Sequence, residues 1–269
     1  MTLAEILRGA TDYLAARGIE SPRVDAELLL ARALGLQRIE LYTQHDRPLG
    51  EAERASAREL VRRRGAREPL AYVLGDWGFR RLTLKTDVRA LVPRPETEIV
   101  VERCLALLDG VERPRVVDVG TGTGAIALAL KQERPDADVV ATDASKEALA
   151  LARENAEANG LAVELVHADL LDGLDGPFDL VVSNPPYVLE AELDGLGPEL
   201  AYEPRDALVD RGQTSRLVES ARFGWLVLEV HEGRAQEIAA KLERAGYADV
   251  RISRDLAGRD RVVEGRWTR

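Results

Sequence analysis

Val116-Val117-Asp118-Val119-Gly120-Thr121-Gly122-Thr123-Gly124-Ala125-Ile126-Ala127-Leu128 decides the architecture. Val116 to Val119 is a short β-branched run, the pattern of a strand buried on both faces. Gly120 to Gly124 is a tight loop with glycine at every second position, and Ala125 to Lys131 opens a helix. A buried strand passing through a glycine turn into a helix is the first unit of an open, mostly parallel α/β sheet. Glycine lets the turn tighten until backbone N–H groups and the positive helix end approach a ligand. Gly122-Thr123-Gly124-Ala125-Ile126-Ala127 also satisfies the dinucleotide pattern G-x-G-x-x-A, so the loop alone does not separate one nucleotide class from another.

Toward the C-terminus the strand, loop, helix pattern repeats. Val139-Val140-Ala141-Thr142-Asp143 is the second strand, and Asp143 at its end is placed to accept both ribose hydroxyls of an adenosine ligand. A helix from Lys146 to Asn159 closes at Gly160, and a third strand, Val163 to Val166, leads into His167-Ala168-Asp169-Leu170. Phe178 to Ser183 is the fourth strand. Asn184-Pro185-Pro186-Tyr187 ends it, because consecutive prolines continue neither a ladder nor a helix. Trp225 to Val230 is a fifth strand, Arg234 to Arg244 a helix stopped by Gly246, and Val250 to Arg254 with Arg261 to Arg266 a closing antiparallel pair. Glycine loop, Asp143, Asp169 and the Asn184 loop all fall at carboxyl ends of strands, on the rim where open α/β sheets bind ligands. That combination favours a methyl-donor nucleoside over a dinucleotide. The long stretch from Glu190 to Gln213 follows the reaction loop directly, a position where lids and substrate-binding segments occur. Between Gln213 and Trp225 the chain is short for a crossover helix, which leaves open whether that helix is abbreviated or the sequence incomplete there.

The Asn184 loop carries the chemistry. Pro185 and Pro186 have no N–H and present carbonyl oxygens, and the Asn184 side-chain oxygen is a further acceptor. A planar NH2 group lying against Tyr187 finds acceptors for both hydrogens, with its nitrogen face open to an electrophile. A carboxylate there meets only lone pairs, at about 1–3 kcal/mol for each unpaired buried group, which selects amide over acid. An ordinary strand-ending turn is the plain alternative for these four residues.

Before the sheet, Leu3, Ile6, Leu7, Ala10 and Leu14 recur at helical spacing up to a stop at Gly18. Ser21-Pro22 reads as an N-cap and first helical position, opening a helix through Leu34 that Gly35 ends, and a third helix spans Glu51 to Arg64. Residues 1–75 therefore form a small helical domain, with docking of a macromolecular substrate as its candidate role. Trp77, Phe79, Leu82, Leu84 and Val88 alternate with polar residues, so 76–94 is expected as a linking hairpin and 95–269 as the sheet domain. A helix starting near Pro95 or Thr97 continues to Leu108, its Glu96 and Glu98 matched to the positive helix end.

The chain has 269 residues, 45% hydrophobic and 31% charged, with a net charge of −10. An acidic balance argues against a large nucleic-acid surface; Arg62-Arg63-Arg64, the densest basic run, reads as a solvated helix face. Met1 to Leu14 has neither a basic leader nor a continuous apolar core, and no run is long enough to span a membrane, so a cytoplasmic, membrane-free protein is expected; a monomer is expected as well. Cys104 stands alone on an apolar helical face and is core filler. His45, His167 and His231 lack ligand spacing, so no metal is expected.

Asp118 to Leu128, Ser183 to Tyr187, Pro93-Arg94-Pro95-Glu96-Thr97-Glu98, Glu203-Pro204 with Ala207-Leu208, and Glu68-Pro69-Leu70-Ala71-Tyr72 together resemble the HemK family of protein-(glutamine-N5) methyltransferases acting on peptide chain release factors. The resemblance covers nearly the whole chain. It implies a class I S-adenosylmethionine-dependent methyltransferase fold, Rossmann-like with a mostly parallel seven-stranded sheet, behind a small helical domain that docks the release factor. S-adenosylmethionine, leaving as S-adenosylhomocysteine, would be held by Gly120, Thr121, Gly122, Thr123, Gly124, Asp143, Asp169, Leu170 and Asn184. The glutamine of the Gly-Gly-Gln loop of class I release factors would be held and methylated at Asn184, Pro185, Pro186 and Tyr187. Leu170 stands where some relatives carry an aromatic residue. A nucleic-acid amino methyltransferase is the first rival, since adenine N6 and guanine N2 offer the same NH2 geometry. A non-catalytic adenosyl-binding scaffold and a nicotinamide dehydrogenase follow.

Overall fold

Alternate side chains of a strand enter opposite faces of a sheet, and the valine-rich runs obey this residue by residue. Val116, Leu180, Val182, Val227 and Val262 enter one apolar core, while Val117, Val119, Val181, Leu226, Leu228 and Val263 enter the other. The computed structural model of the chain describes residues 1–268. Within them the residues cluster into two compact units, Met1–Asp76 with Gly197–Tyr202, and Trp77–Leu196 with the described residues from Glu203 onward.

The first unit is helical: α1 (Leu3–Ala15), α2 (Pro22–Leu34), α3 (Glu40–Thr43), α4 (Glu51–Gly65) and α5 (Leu70–Leu74). Leu3, Leu7 and Leu14 of α1, Leu29 and Leu30 of α2, Leu41 and Val61 form its core. Thr2 caps α1 in a reciprocal box with Glu5. Ser21 makes no side-chain cap bond, so the start of α2 rests on Pro22, whose fixed φ suits the first helical turn. Arg64 pairs with the buried Asp25 at 2.7 Å and with Glu199 at 3.0 Å, and Arg67 reaches the other Glu199 oxygen at 2.8 Å.

The second unit begins with a hairpin of β1 (Asp76–Phe79) and β2 (Leu82–Lys85), followed by a 3-10 turn (Pro95–Thr97) and α6 (Glu98–Leu107). Phe79, Leu82 and Leu84 belong to the same core as Val100 and Leu128. Val88 lies past the hairpin and is exposed. Then come β3 (Arg115–Val119), α7 (Ala125–Glu133), β4 (Asp138–Asp143), α8 (Lys146–Asn159), β5 (Glu164–His167), β6 (Leu180–Ser183), α9 (Arg205–Leu208), α10 (Gln213–Ser220), β7 (Trp225–Glu229), α11 (Ala235–Ala245), β8 (Tyr247–Arg254) and β9 (Asp260–Trp267). The seven-stranded sheet runs β5-β4-β3-β6-β7-β9-β8. Its first five strands are parallel, and β9 inserts antiparallel between β7 and the edge strand β8. α6 and α7 cover one face, α10 and α11 the other. The crossover is short: α10 has 8 residues, and its Leu217 and Val218 are buried against the sheet. No helix among the described residues is long and apolar enough to cross a membrane.

Candidate active site

Five parallel strands end on one rim, and the register fixes which residues meet there. Val119 of β3 pairs with Thr142 of β4 and with Ser183 of β6, and Ser183 with Leu228 of β7. Gly120, Asp143, Asn184 and Glu229 are the residues that follow, side by side at the carboxyl ends.

The glycine turn departs in the left-handed region three times, with φ of 72° at Gly120, 56° at Gly122 and 84° at Gly124. Any other residue is strained there by about 1–2 kcal/mol per position. The N–H groups of Gly120 and Thr121 both donate to the Thr142 carbonyl at 2.9 Å, and Gly122 N–H donates to Asp143 Oδ2 at 2.9 Å. Ser145 N–H holds Asp143 Oδ1 at 2.9 Å. Backbone N–H groups thus orient the Asp143 carboxylate, and burial raises this carboxyl above its usual range against those N–H bonds. Behind the turn, Asp118 Oδ2 accepts from the Thr121 hydroxyl at 2.7 Å and from Ala127 N–H at 3.1 Å. Asp118 Oδ1 is buried without a hydrogen-bond partner among the described residues. Burial pushes this carboxyl up to about 7, opposed by those two bonds and helped by Asp143.

Asn184 to Tyr187 leaves the sheet anchored by Ser183, whose hydroxyl donates to the Val119 carbonyl at 2.7 Å. Asn184 Nδ2 donates to Thr97 Oγ1 at 3.3 Å. The Tyr187 ring lies 5.7 Å from that of His231, and burial raises its phenol above the ordinary value, with the Glu229 charge adding to it. Beyond it Val188 N–H donates to Leu208 O at 3.0 Å and Asp210 N–H to Val188 O at 2.9 Å, which brings the long loop back to the strand end. Glu203 of that loop is buried; its Oε2 accepts from Val92 N–H at 3.0 Å and its other oxygen pairs with Arg94.

Gly120 to Gly124, Asp143 and Asn184 to Tyr187 therefore stand on adjacent strand ends. Asp169 is on the same rim, but its carboxylate is half exposed and pairs with Arg216 of α10 at 2.7 Å. Leu170 takes a φ of 55°, gives its carbonyl to the Thr142 hydroxyl at 2.9 Å and packs against the second core. Three further polar residues meet at the strand ends without having been named as site residues from sequence: Asp118, Thr97 and Glu229. Glu229 carried a signal, since an acid closing the apolar run Trp225 to Leu228 marks the carboxyl end of a buried strand. It is 2% exposed and its Oε2 has no hydrogen-bond partner among the described residues. Cys104 is buried in α6 with its thiol raised by burial. No group of His, Cys, Asp or Glu among the described residues is arranged to hold a metal ion.

Strand order, glycine turn and proline-stiffened loop define a class I methyltransferase fold. Family models agree: residues 5–75 match the PrmC N-terminal domain and residues 97–239 the Methyltransferase small domain. Among solved structures, the hMettl16 catalytic domain in complex with MAT2A 3′UTR hairpin 6 is similar at a TM-score of 0.57 and 16% identity, over 70% of this chain and 76% of that one. The 16S rRNA N2 G1207 methyltransferase of T. Thermophilus, in complex with AdoMet and guanosine, is similar at 0.54 and 20%, over 72% of this chain and 50% of that one. Such identities speak for the fold alone. The sequence relatives are far nearer: release factor glutamine methyltransferase of Deinococcus radiodurans is 46% identical over 99% of each chain, and that of Geobacter sulfurreducens 42% over 98% of this chain and 96% of its own. The chain belongs to the release factor glutamine methyltransferase family.

Proposed function

We propose that the chain methylates the side-chain amide nitrogen of a glutamine, that of the Gly-Gly-Gln motif of class I peptide chain release factors, with S-adenosylmethionine as donor. The observation that carries this reading is the bond from Ser183 Oγ to Val119 O, which fixes the Asn184 loop beside the glycine turn on neighbouring strands. The donor set fits a cationic nucleoside ligand. Asp118 Oδ1 is a buried acceptor without a partner among the described residues, suited to an ammonium group, and a Cβ added at Gly120 would meet no atom within 4 Å. Gly120 to Gly124 would face the ligand with backbone, and Asp143 would take the ribose hydroxyls with its carboxylate. Asp169 and Leu170 would contribute at most the edge of this seat.

Bound S-adenosylmethionine supplies an electrophilic methyl group. An amide nitrogen is a poor nucleophile because its lone pair is delocalised, so the chain's part is alignment and charge. Alignment in a desolvated site contributes about 7–11 kcal/mol. Asn184 Oδ1 and the carbonyls at Pro185 and Pro186 accept the amide hydrogens and favour positive charge as it develops on nitrogen. Tyr187 backs the planar amide with its ring. No strong general base is needed, because the methylated amide sheds its extra proton readily.

Purified release factor incubated with chain and donor should gain one methyl group on one glutamine by mass spectrometry. Methyl incorporation into RNA or DNA with none into release factor would replace this reading by the nucleic-acid one.

A further inference from the structure

Asn184 is useful only in one of two orientations. Its carboxamide must turn Oδ1, not Nδ2, toward the incoming NH2 group, since two donors facing one another leave both unpaired. Nothing in the Asn-Pro-Pro-Tyr loop itself makes that choice. The side chain bonds outside its loop to the Thr97 hydroxyl, which accepts from Nδ2 at 3.3 Å. A hydroxyl can donate as well as accept, so Thr97 enforces nothing while its own proton is free to rotate. That proton has a neighbour to which it can be given. Glu229 follows Leu228, the register partner of Ser183, and so stands beside Asn184 at the rim. Among its neighbours, the Thr97 side chain is the one that most favours its charged form. Both Thr97 and Glu229 are buried, at 4% and 2% exposure, so water does not compete for either group.

We infer that Glu229 and Thr97 are positioning residues for Asn184: the Glu229 carboxylate takes the Thr97 proton, leaving the Thr97 oxygen as an acceptor only, and this turns the Asn184 carbonyl to the methyl acceptor. Such an arrangement gives a role to the buried threonine of the 3-10 turn Pro95–Thr97 and to the buried acid at the end of β7. The charges around Glu229 come from several elements: Glu96 beside Thr97, Arg261 on β9, and Arg94, with the Tyr187 phenol close by. Burial is what opposes ionisation of Glu229, and the neighbouring Thr97 and Arg261 favour it.

The inference rests on the amide-methylating reading, and its test separates the two. Thr97→Val keeps shape and removes the hydroxyl, and Thr97→Ser keeps the hydroxyl. With release factor as substrate, Thr97→Val should lower kcat roughly ten- to hundredfold, the worth of one misdirected hydrogen bond in a desolvated site, while KM for release factor and the affinity for S-adenosylhomocysteine stay within about twofold. Thr97→Ser should restore kcat to within about threefold of wild type on the same grounds. Glu229→Gln, whose amide can donate to Thr97 as readily as accept, should fall between the two. Unchanged kcat in Thr97→Val overturns the ordering, as does a loss in which donor affinity falls in parallel or which serine does not recover. A wild-type chain that methylates no release factor overturns the reaction itself, a result seen before any variant is made.

Discussion

Two loops on one rim are held in opposite ways. The glycine turn is secured within its own strand, helix, strand unit: by Asp118 just before it, Ala127 just after it, and Thr142 and Asp143 on the strand that follows. Asn184 to Tyr187 is secured from far along the chain, by Val119 through Ser183, by Thr97 before the sheet and by Leu208 within the long loop. A ligand seat made of backbone can be encoded locally, because it needs only glycine where φ is positive. An acceptor seat made of a single side chain needs distant groups to fix which way that side chain faces.

The contrast is broken most severely at Asn184. Asn184→Ala should lower kcat by roughly 10²–10³-fold, as expected for one preorganised hydrogen-bonding group at a developing charge, and leave S-adenosylhomocysteine affinity by calorimetry unchanged. Equal losses of donor affinity in this variant and in Asp143→Ala would erase the division between the loops. Asp143→Ala comes next: it removes a charged acceptor and unseats Gly122 N–H, so donor affinity should fall roughly ten- to hundredfold. Gly122→Ala, strained at a φ of 56°, should weaken donor binding about tenfold through backbone alone.

A pH series tests how tightly Asp118 is sealed behind the glycine turn. Its carboxyl lies at about 7 in the folded chain against 3.8 for an ordinary aspartate. The folded state therefore holds a proton that the unfolded chain has released, a contribution fully present below about 4 and lost as pH rises through about 7. Between pH 5 and pH 8 the unliganded protein should lose on the order of 2 kcal/mol from this group, and Asp118→Asn should flatten that part of the fall in thermal midpoint. Glu229, also pushed up to about 7 by burial, acts in the same direction. A wild-type slope identical to that of Asp118→Asn would mean that the carboxyl is solvated. The smallest effect belongs to Asp169, whose half-exposed pair with Arg216 is screened by solvent; Asp169→Asn should change donor affinity by no more than about threefold. A larger loss would return Asp169 to the nucleoside seat.

The same division governs what could be read from sequence. Strands β3, β4, β6 and β7 were legible because runs of buried valine and leucine announce themselves, and the glycine turn because its constraint is local. Seven strands, their parallel majority and the antiparallel pair could be assembled from those runs. What escaped were contacts that exist only through register. Thr97 reads as one polar residue among several at a helix start, and Glu229 as the last residue of an apolar strand, until Ser183 pairs with Leu228 and sets them around Asn184. Asp118 was visible in the motif, but as a strand residue; its orphaned oxygen depends on how deeply the turn closes over it. Asp169 sat at a strand end as expected, and only the placement of α10 shows which partner its carboxylate takes. Glu203 belongs with these, since its buried bond to Val92 N–H joins segments more than a hundred residues apart.

The helical unit counts Gly197–Tyr202 among its own residues. Glu199 satisfies Arg64 and Arg67 there, and the Tyr202 hydroxyl donates to Ala66 O at 2.8 Å. A fragment cut at residue 76 would therefore keep two arginines and lose the acid they share, so dissection of this protein calls for a graft of that short peptide rather than a single scissor point.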